Sequence, residues 1–265
     1  MQQDILSVLD QEKITLFDLD SEAPGKAFSP STWKVRYSLN FNKIPFVTRW
    51  LDFVEVQPLC LAIGAKPTRK RPDGSDMYTL PVIYDPTTKK AVSESLAIVE
   101  YLDRQYPQSP RVIPDITQGL VRAFVHAFSK EIMILYQFGV LLQLEIVKPG
   151  SKEYYRRDRE ALLEASLEDV VPKGEKRKVE WAKVKQAFDT FSSWFGDEGE
   201  FVPGGRRKWV MGDSPSFPDF VFAAHLQWIR KVLGEESGEW KDIMRWNQGR
   251  WAHLLEQCRI YEGSC

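Results

Sequence analysis

The segment Pro107–Gln108–Ser109–Pro110 divides this chain into two stretches of different character. Two prolines within four residues end a helix on one side and discourage a strand on the other, so they mark a boundary. Before it, strand-like and helix-like patterns alternate. Ile14–Thr15–Leu16–Phe17 is a short apolar run with β character. Asp18 to Ser31 is polar and turn-rich, with Pro24, Gly25 and Pro30. Trp33, Val35, Arg36, Tyr37, Leu39 and Asn40 predict a helix opening near Ser31 or Thr32. Phe46 to Leu51 is a second strand, and Val56 to Ile63 a helix that stops at Gly64. Lys66 to Asp76, with its basic residues, prolines and glycine, is a loop. Leu80 to Tyr84 is a third strand, Asp85 to Lys89 a turn, and Ala91–Val92 the start of a return strand. Glu94 to Tyr106 is a helix with Leu96, Ile98, Val99 and Leu102 on its apolar face. The order βαβαββα suits a small sheet with helices packed on it.

Beyond the boundary the pattern turns helical. Gln118 to Val147 is one long amphipathic stretch interrupted only by Gly139. Glu153–Ala165, Lys178–Phe195, Ser216–Leu233 and Trp246–Cys258 are further helices, with a turn near Trp209–Val210. The charged run Lys173–Lys178 is a solvated patch at a helix start. The expected organisation is an α/β domain over 1–107 and an all-α domain over 113–265, each long enough for its own core.

Composition removes several function classes. A net charge of −1 asks for neither nucleic acid nor a membrane surface. No apolar run is long enough to cross a bilayer, and Met1–Gln11 lacks the basic start and apolar core of a signal peptide. Cys60, Cys258 and Cys265 form no CxxC pair, so a reducing compartment, the cytoplasm, is the expected home. Cys60 falls in a predicted helix and reads as a small buried hydrophobe. His126, His225 and His253 lack metal-ligand spacing, so no metal is expected. Lys66, Arg69, Lys70 and Arg71 read as a solvated basic face that could lie near a substrate carboxylate. Phe124, Phe128, Tyr136 and Phe138 read as core, with a few lining an apolar cleft between the domains.

Four motifs carry chemistry or bound it. In Thr79–Leu80–Pro81–Val82–Ile83, the proline cannot donate to a ladder. Alone it reads as an edge strand or turn. Within a βαβαββα unit it also reads as a cis proline that leaves the Leu80 backbone facing a peptide-like ligand. Glu94–Ser95 opens a helix, either as its cap or as an anion site. There the Ser95 hydroxyl can hold a carboxylate and Glu94 an ammonium, the two charges of a γ-glutamyl group. Ser29–Pro30–Ser31–Thr32–Trp33–Lys34–Val35–Arg36 occupies the loop that carries a reactive thiol pair in thioredoxin-like units, yet holds no cysteine. A hydroxyl there can instead donate to a bound thiolate. A free thiol titrates near about 8.5, and a charge-assisted bond with a helix N-terminus lowers that by roughly one to two units. Ser216–Phe217–Pro218–Asp219 is a capping box and structural.

These elements resemble the cytosolic glutathione transferases over nearly the whole chain. Ser29-Pro30-x-x-Trp33-x-x-Arg36 resembles their serine-type members. The Ser-Pro-x-Thr-Trp-Lys string and the long loop before Tyr78–Thr79–Leu80–Pro81 resemble the fungal etherase-related FuA class, kin to bacterial β-etherases. The resemblance implies a thioredoxin-like N-terminal domain and a helical C-terminal one. It implies glutathione as co-substrate, Ser29 as the thiol-activating group with Ser31 and Thr32 as rivals, and glutathione contacts from Trp33, Leu80, Pro81, Glu94 and Ser95. The helical domain would supply a pocket for a hydrophobic acceptor. The expected activity is conjugation or ether cleavage of aromatic compounds, in detoxification or on lignin-derived substrates; a ligandin that stores phenolics is the alternative. A homodimer is expected, with an interface altered by the 64–78 loop and the Lys173 region.

Overall fold

A computed structural model of the chain describes residues 9–71, 73–196 and 209–263. Most of Met1–Gln11, and Cys265, lie outside the described residues.

The N-terminal unit is a four-stranded mixed sheet in the order β2-β1-β5-β6. β1 (Ile14–Leu19) and β2 (Phe46–Leu51) run parallel, Ile14 opposite Phe46. They need a crossover, supplied by α1 (Pro30–Phe41). β5 (Val82–Asp85) pairs antiparallel with β1 and with β6 (Lys90–Ser93). Alternation along the strands divides the core. Ile14, Leu16 and Ile83 face α1 and α3 (Ser95–Gln105), packing on Val35, Leu39, Ile98 and Leu102. Phe17 and Val82 face the other way, onto Val56, Leu59 and Cys60 of α2 (Val56–Ala62).

The 66–76 segment differs from the expected loop. β3 (Arg69–Lys70) and β4 (Asp76–Met77) form a short antiparallel hairpin, turned at Gly74 with φ +83°. Its Arg71 is no solvated charge. Arg71 Nη1 donates to Asp158 at 2.7 Å and Nη2 to Tyr154 at 3.3 Å, both on α5 (Lys152–Leu163) of the helical unit.

The helical unit holds α4 (Gln118–Ile146), α5, the single turn α6 (Leu167–Val170), α7 (Gly174–Ser193), α8 (Phe217–Leu233) and α9 (Gly238–Cys258). α7 starts four residues ahead of its predicted Lys178, so the charged run is its first turn. α8 is apolar on nearly every face and is the central helix, packed on α1, α4 and α9. The Asp219 carboxylate closes its capping box on the Ser216 backbone at 2.9 Å and accepts the Val210 amide at 2.8 Å. Burial pushes that carboxyl up to about 6. α9 contains more than the predicted 246–258 helix. Ser237 caps an earlier segment by accepting the Trp240 amide at 3.1 Å, and the axis breaks at Trp246–Gly249.

Candidate functional site

A cavity of about 460 Å³ opens between the two units. From the sheet side Phe28, Ser29, Pro30, Ser31, Tyr78, Thr79 and Leu80 reach it. From the helical side come Ile132, Met133 and Tyr136 of α4, Arg159 of α5, and His225 and Trp228 of α8.

Ser29 owes its position to a braced loop and to its proline. Ser21 Oγ donates to the Lys26 carbonyl at 2.6 Å, and Trp33 Nε1 donates to the Ala27 carbonyl at 3.2 Å. Pro30, preset for the first helical position, starts α1 one turn position earlier than Ser31 or Thr32 would have done. Ser29 is therefore the N-cap residue, ahead of the opening near Ser31 or Thr32 that the side-chain pattern predicts. Its backbone carbonyl accepts the Trp33 amide at 3.0 Å, while its hydroxyl makes no capping bond. Ser31 is half-buried and lines the cleft. Thr32 is fully buried and lies outside the lining.

The Leu80–Pro81 bond is cis. Leu80 lines the cleft, and pairing of β5 with β1 and β6 starts two residues later, at Val82, so the Leu80 backbone stands outside both ladders. Pro81 itself is buried and off the lining. Glu94 and Ser95 are also off it. Glu94, at φ +78°, caps α3 by accepting the Leu96 and Ala97 amides at 3.1 Å each, and Ser95 Oγ donates to the Glu94 carboxylate at 3.2 Å. A non-glycine residue in that backbone region marks a place the surrounding structure holds under strain. Lys34 of α1 faces this pair; burial brings its ammonium down to about 8, with Glu94 acting the other way. Trp33 is 3% exposed, packs on Tyr37 with ring centroids 5.2 Å apart, and does not line the cleft; its indole is spent on the loop. Arg36, from the same motif, is buried against Asp18 at 3.0 Å and Thr48 at 3.2 Å. Burial pushes the Cys60 thiol up to about 11, which keeps it unreactive as a thiolate.

Of the aromatic residues expected at the core or cleft, Tyr136 lines the cavity, while Phe53 and Trp228 join it without a signal in the sequence. Phe53, Tyr136 and Trp228 form an aromatic wall, with the Tyr136 and Trp228 rings nearly parallel at 17°. Trp228 Nε1 donates to Gln143 at 2.8 Å, which fixes the indole. Phe128 and Phe138 are core, as expected. His225 lies 2.7 Å from the Val221 carbonyl through Nδ1. Burial, with Lys34 nearby, drives its imidazole down to about 3, so it is neutral and donates from Nδ1. No group of residues with metal-ligand character occurs among the described residues.

A hydroxyl without a capping bond stands at a helix N-terminus on a thioredoxin-like sheet, beside a strand backbone outside both ladders and at a cleft under a helical domain. Residues 24–110 match the N-terminal domain model of glutathione S-transferases, and residues 119–261 match the C-terminal domain model. The chain belongs to the glutathione S-transferase family. A glutathione S-transferase of Ceriporiopsis subvermispora, solved in complex with glutathione, is 39% identical with a TM-score of 0.88, over 95% of this chain and 98% of that one. Glutathione transferase GSTFuA3 of Phanerochaete chrysosporium is 33% identical with a TM-score of 0.86, over 96% and 98%. A glutathione S-transferase-like protein of Aspergillus flavus is 26% identical over 92% of this chain and 89% of its own length.

Proposed function

We propose that this protein binds glutathione at the sheet-side half of the cleft and uses Ser29 to hold its sulfur as thiolate for attack on a hydrophobic aromatic or ether-bearing acceptor. The observation that carries the reading is the uncommitted Ser29 hydroxyl at the N-terminus of α1. Pro30 has no N–H, so the first free amides of that helix belong to Ser31 and Thr32, and they add the positive end of the helix dipole. One charge-assisted bond is worth about 1.5–3 kcal/mol, or roughly one to two units of thiol pKa. The Leu80 backbone, outside both ladders, is suited to pair with the cysteinyl part of the peptide as an added strand would. In this reading Glu94 and Ser95, which open α3 outside the cavity lining, hold the γ-glutamyl end through the Glu94 carboxylate and the Ser95 hydroxyl. Trp33 supports this site from beneath, by bracing the loop that holds Ser29, and makes no direct contact. The apolar wall of Phe53, Tyr136 and Trp228 takes the acceptor. The working form is a cytoplasmic homodimer.

Glutathione titration followed by thiolate absorbance, for wild type and Ser29→Ala, tests this. Wild type should lower the thiol pKa of bound glutathione from about 8.5 to near 7, and the variant should bind glutathione yet leave the thiol roughly one to two units higher. Conjugation near pH 6.5 should then fall about 10- to 100-fold in the variant, with the deficit closing at high pH. Wild type that binds glutathione without ionising it would instead be a ligandin, and wild type that does not bind it would end the reading.

A further inference from the structure

The charges around the cleft are unbalanced in one direction. Together the cleft and the groove that continues from it between the β3–β4 hairpin and α5 are lined by five basic side chains, Arg69, Lys70, Arg71, Arg157 and Arg159. Asp158 is the one carboxylate in the same lining. It is already shared: Arg71 Nη1 donates to Oδ1 at 2.7 Å and Arg159 Nη1 to Oδ2 at 2.9 Å. Lys70 has Asp76 at 2.6 Å, and the Arg157 guanidinium lies over the Tyr154 ring. Arg69 and Arg159 are the two cations that face the cleft itself.

Arg159 is built for a task at that wall. Its side chain is 18% exposed, and its Nε is buried without a hydrogen-bond partner. The guanidinium plane is held over the Tyr155 ring, 5.3 Å from the centroid, and Tyr155 is anchored by donating to the Val140 carbonyl at 2.9 Å. A guanidinium in a protein does not shed its charge, so a half-compensated one beside apolar surface stays an anion receptor. It stands on α5, in the helical unit, across the cleft from Ser29 and beside the aromatic wall.

Resting on the transferase reading above, we propose that Arg159, assisted by Arg69, selects an acceptor that is an aromatic compound bearing an anionic oxygen group, a carboxylate or phenolate, with its ring against Phe53, Tyr136 and Trp228. The apolar wall gives such a molecule affinity and the guanidinium gives it orientation. A neutral aromatic of the same shape keeps the first contribution and loses the second. The two cations also offset the repulsion an anionic acceptor would meet from a thiolate at Ser29.

The test is calorimetric titration of the full-length protein, saturated with glutathione, with 2-naphthoate and with its neutral counterpart 2-naphthamide. Wild type should bind the acid about tenfold or more tightly than the amide. Arg159→Met should bring that ratio below about threefold by weakening the acid alone, and Arg159→Lys should keep part of it. Equal binding of the two probes by wild type overturns the proposal, whether or not the variants fold. So does an unchanged ratio in Arg159→Met with native circular dichroism. So does naphthoate binding that vanishes when glutathione is present, because the cations would then serve the carboxylates of glutathione. Failure of glutathione itself to bind would instead remove the transferase reading, and with it this one.

Discussion

Ser29 is the N-cap residue of α1, and its hydroxyl makes no capping bond. Pro30 fixes where α1 begins, which leaves Ser29 and Ser31 lining the cleft and Thr32 buried beneath the helix. The same motif ends in Arg36, whose part is structural. Its guanidinium and the Asp18 carboxylate are each 1% exposed and 3.0 Å apart. Removing one member of such a pair leaves a buried charge, so Arg36→Met should destabilise the protein by about 3–5 kcal/mol in urea unfolding. Asp18→Leu combined with Arg36→Met should recover part of that loss; an additive loss would show that the two charges do not depend on each other. His225 gives a pH signature. Its imidazole titrates near 6.5 when unfolded and about 3 when folded, so its contribution is intact above pH 6.5 and is lost as the pH falls toward 3. Between about pH 7 and pH 5, wild type should lose up to roughly 2 kcal/mol more stability than His225→Gln, and parallel losses would place the imidazole in water. Ser29 was legible because its chemistry depends on local chain, a strand, a turn and a helix start. His225 and Arg159 were not, because a lone histidine or arginine on a helix means nothing until one knows which face meets the other domain.

At the scale of elements, the helices and the sheet followed from periodicity, whereas the departures from it came from tertiary contact. Residues 66–76 pair as a hairpin although they are too short and too charged to look like strands, since Arg71 ties them to Asp158 of a distant helix. The first half of α9 went unread because its signal is one capping serine, and the chain then breaks through positive φ at Asn247, Gln248 and Gly249. Gly139 was visible as the single interruption of α4, and its reason is spatial. A Cβ at that position would stand 2.6 Å from Trp228 Cη2 and 2.7 Å from Cζ2. That indole cannot retreat, since Gln143 holds its Nε1 from the neighbouring turn of α4. Gly139→Ala gains about 1 kcal/mol of helix propensity and forfeits about 1–3 kcal/mol to overpacking. The net change in stability should be small or unfavourable. Relief by shifting Trp228 against its Gln143 tether would move the cleft wall, so the variant should show a higher KM for the acceptor with KM for glutathione unchanged. An unaltered acceptor KM would show that α4 and α8 part without disturbing the wall.

The sequence boundary at Pro107 separates two patterns, but the folded molecule does not separate there. Phe28, Trp33, Tyr37, Leu96 and Val99 from the sheet unit belong to the same buried cluster as Phe128, Phe191, Phe220 and Trp251 from the helical unit. The Tyr37 and Phe220 rings stack at 5.6 Å. Buried Gln227 of α8 donates to the Tyr37 hydroxyl at 2.9 Å, the Phe217 amide to the Val112 carbonyl at 2.9 Å, and the Glu22 amide to the Ile146 carbonyl at 2.8 Å. Exposing one face of this cluster would strand both apolar surface and polar partners, so neither unit can open without taking the other with it. The full chain should therefore unfold in one calorimetric transition whose measured and van't Hoff enthalpies agree. Glutathione touches mainly the sheet unit in the proposed function, which makes it a probe of that coupling. At about 100 times its dissociation constant it should stabilise the folded state by about 2.7 kcal/mol and move the whole transition upward. Two transitions, of which glutathione moves only one, would mean that the shared cluster does not bind the units together. The cleft would then be a joint between independent domains, and Ser29 and the aromatic wall could not be held at a fixed distance across it.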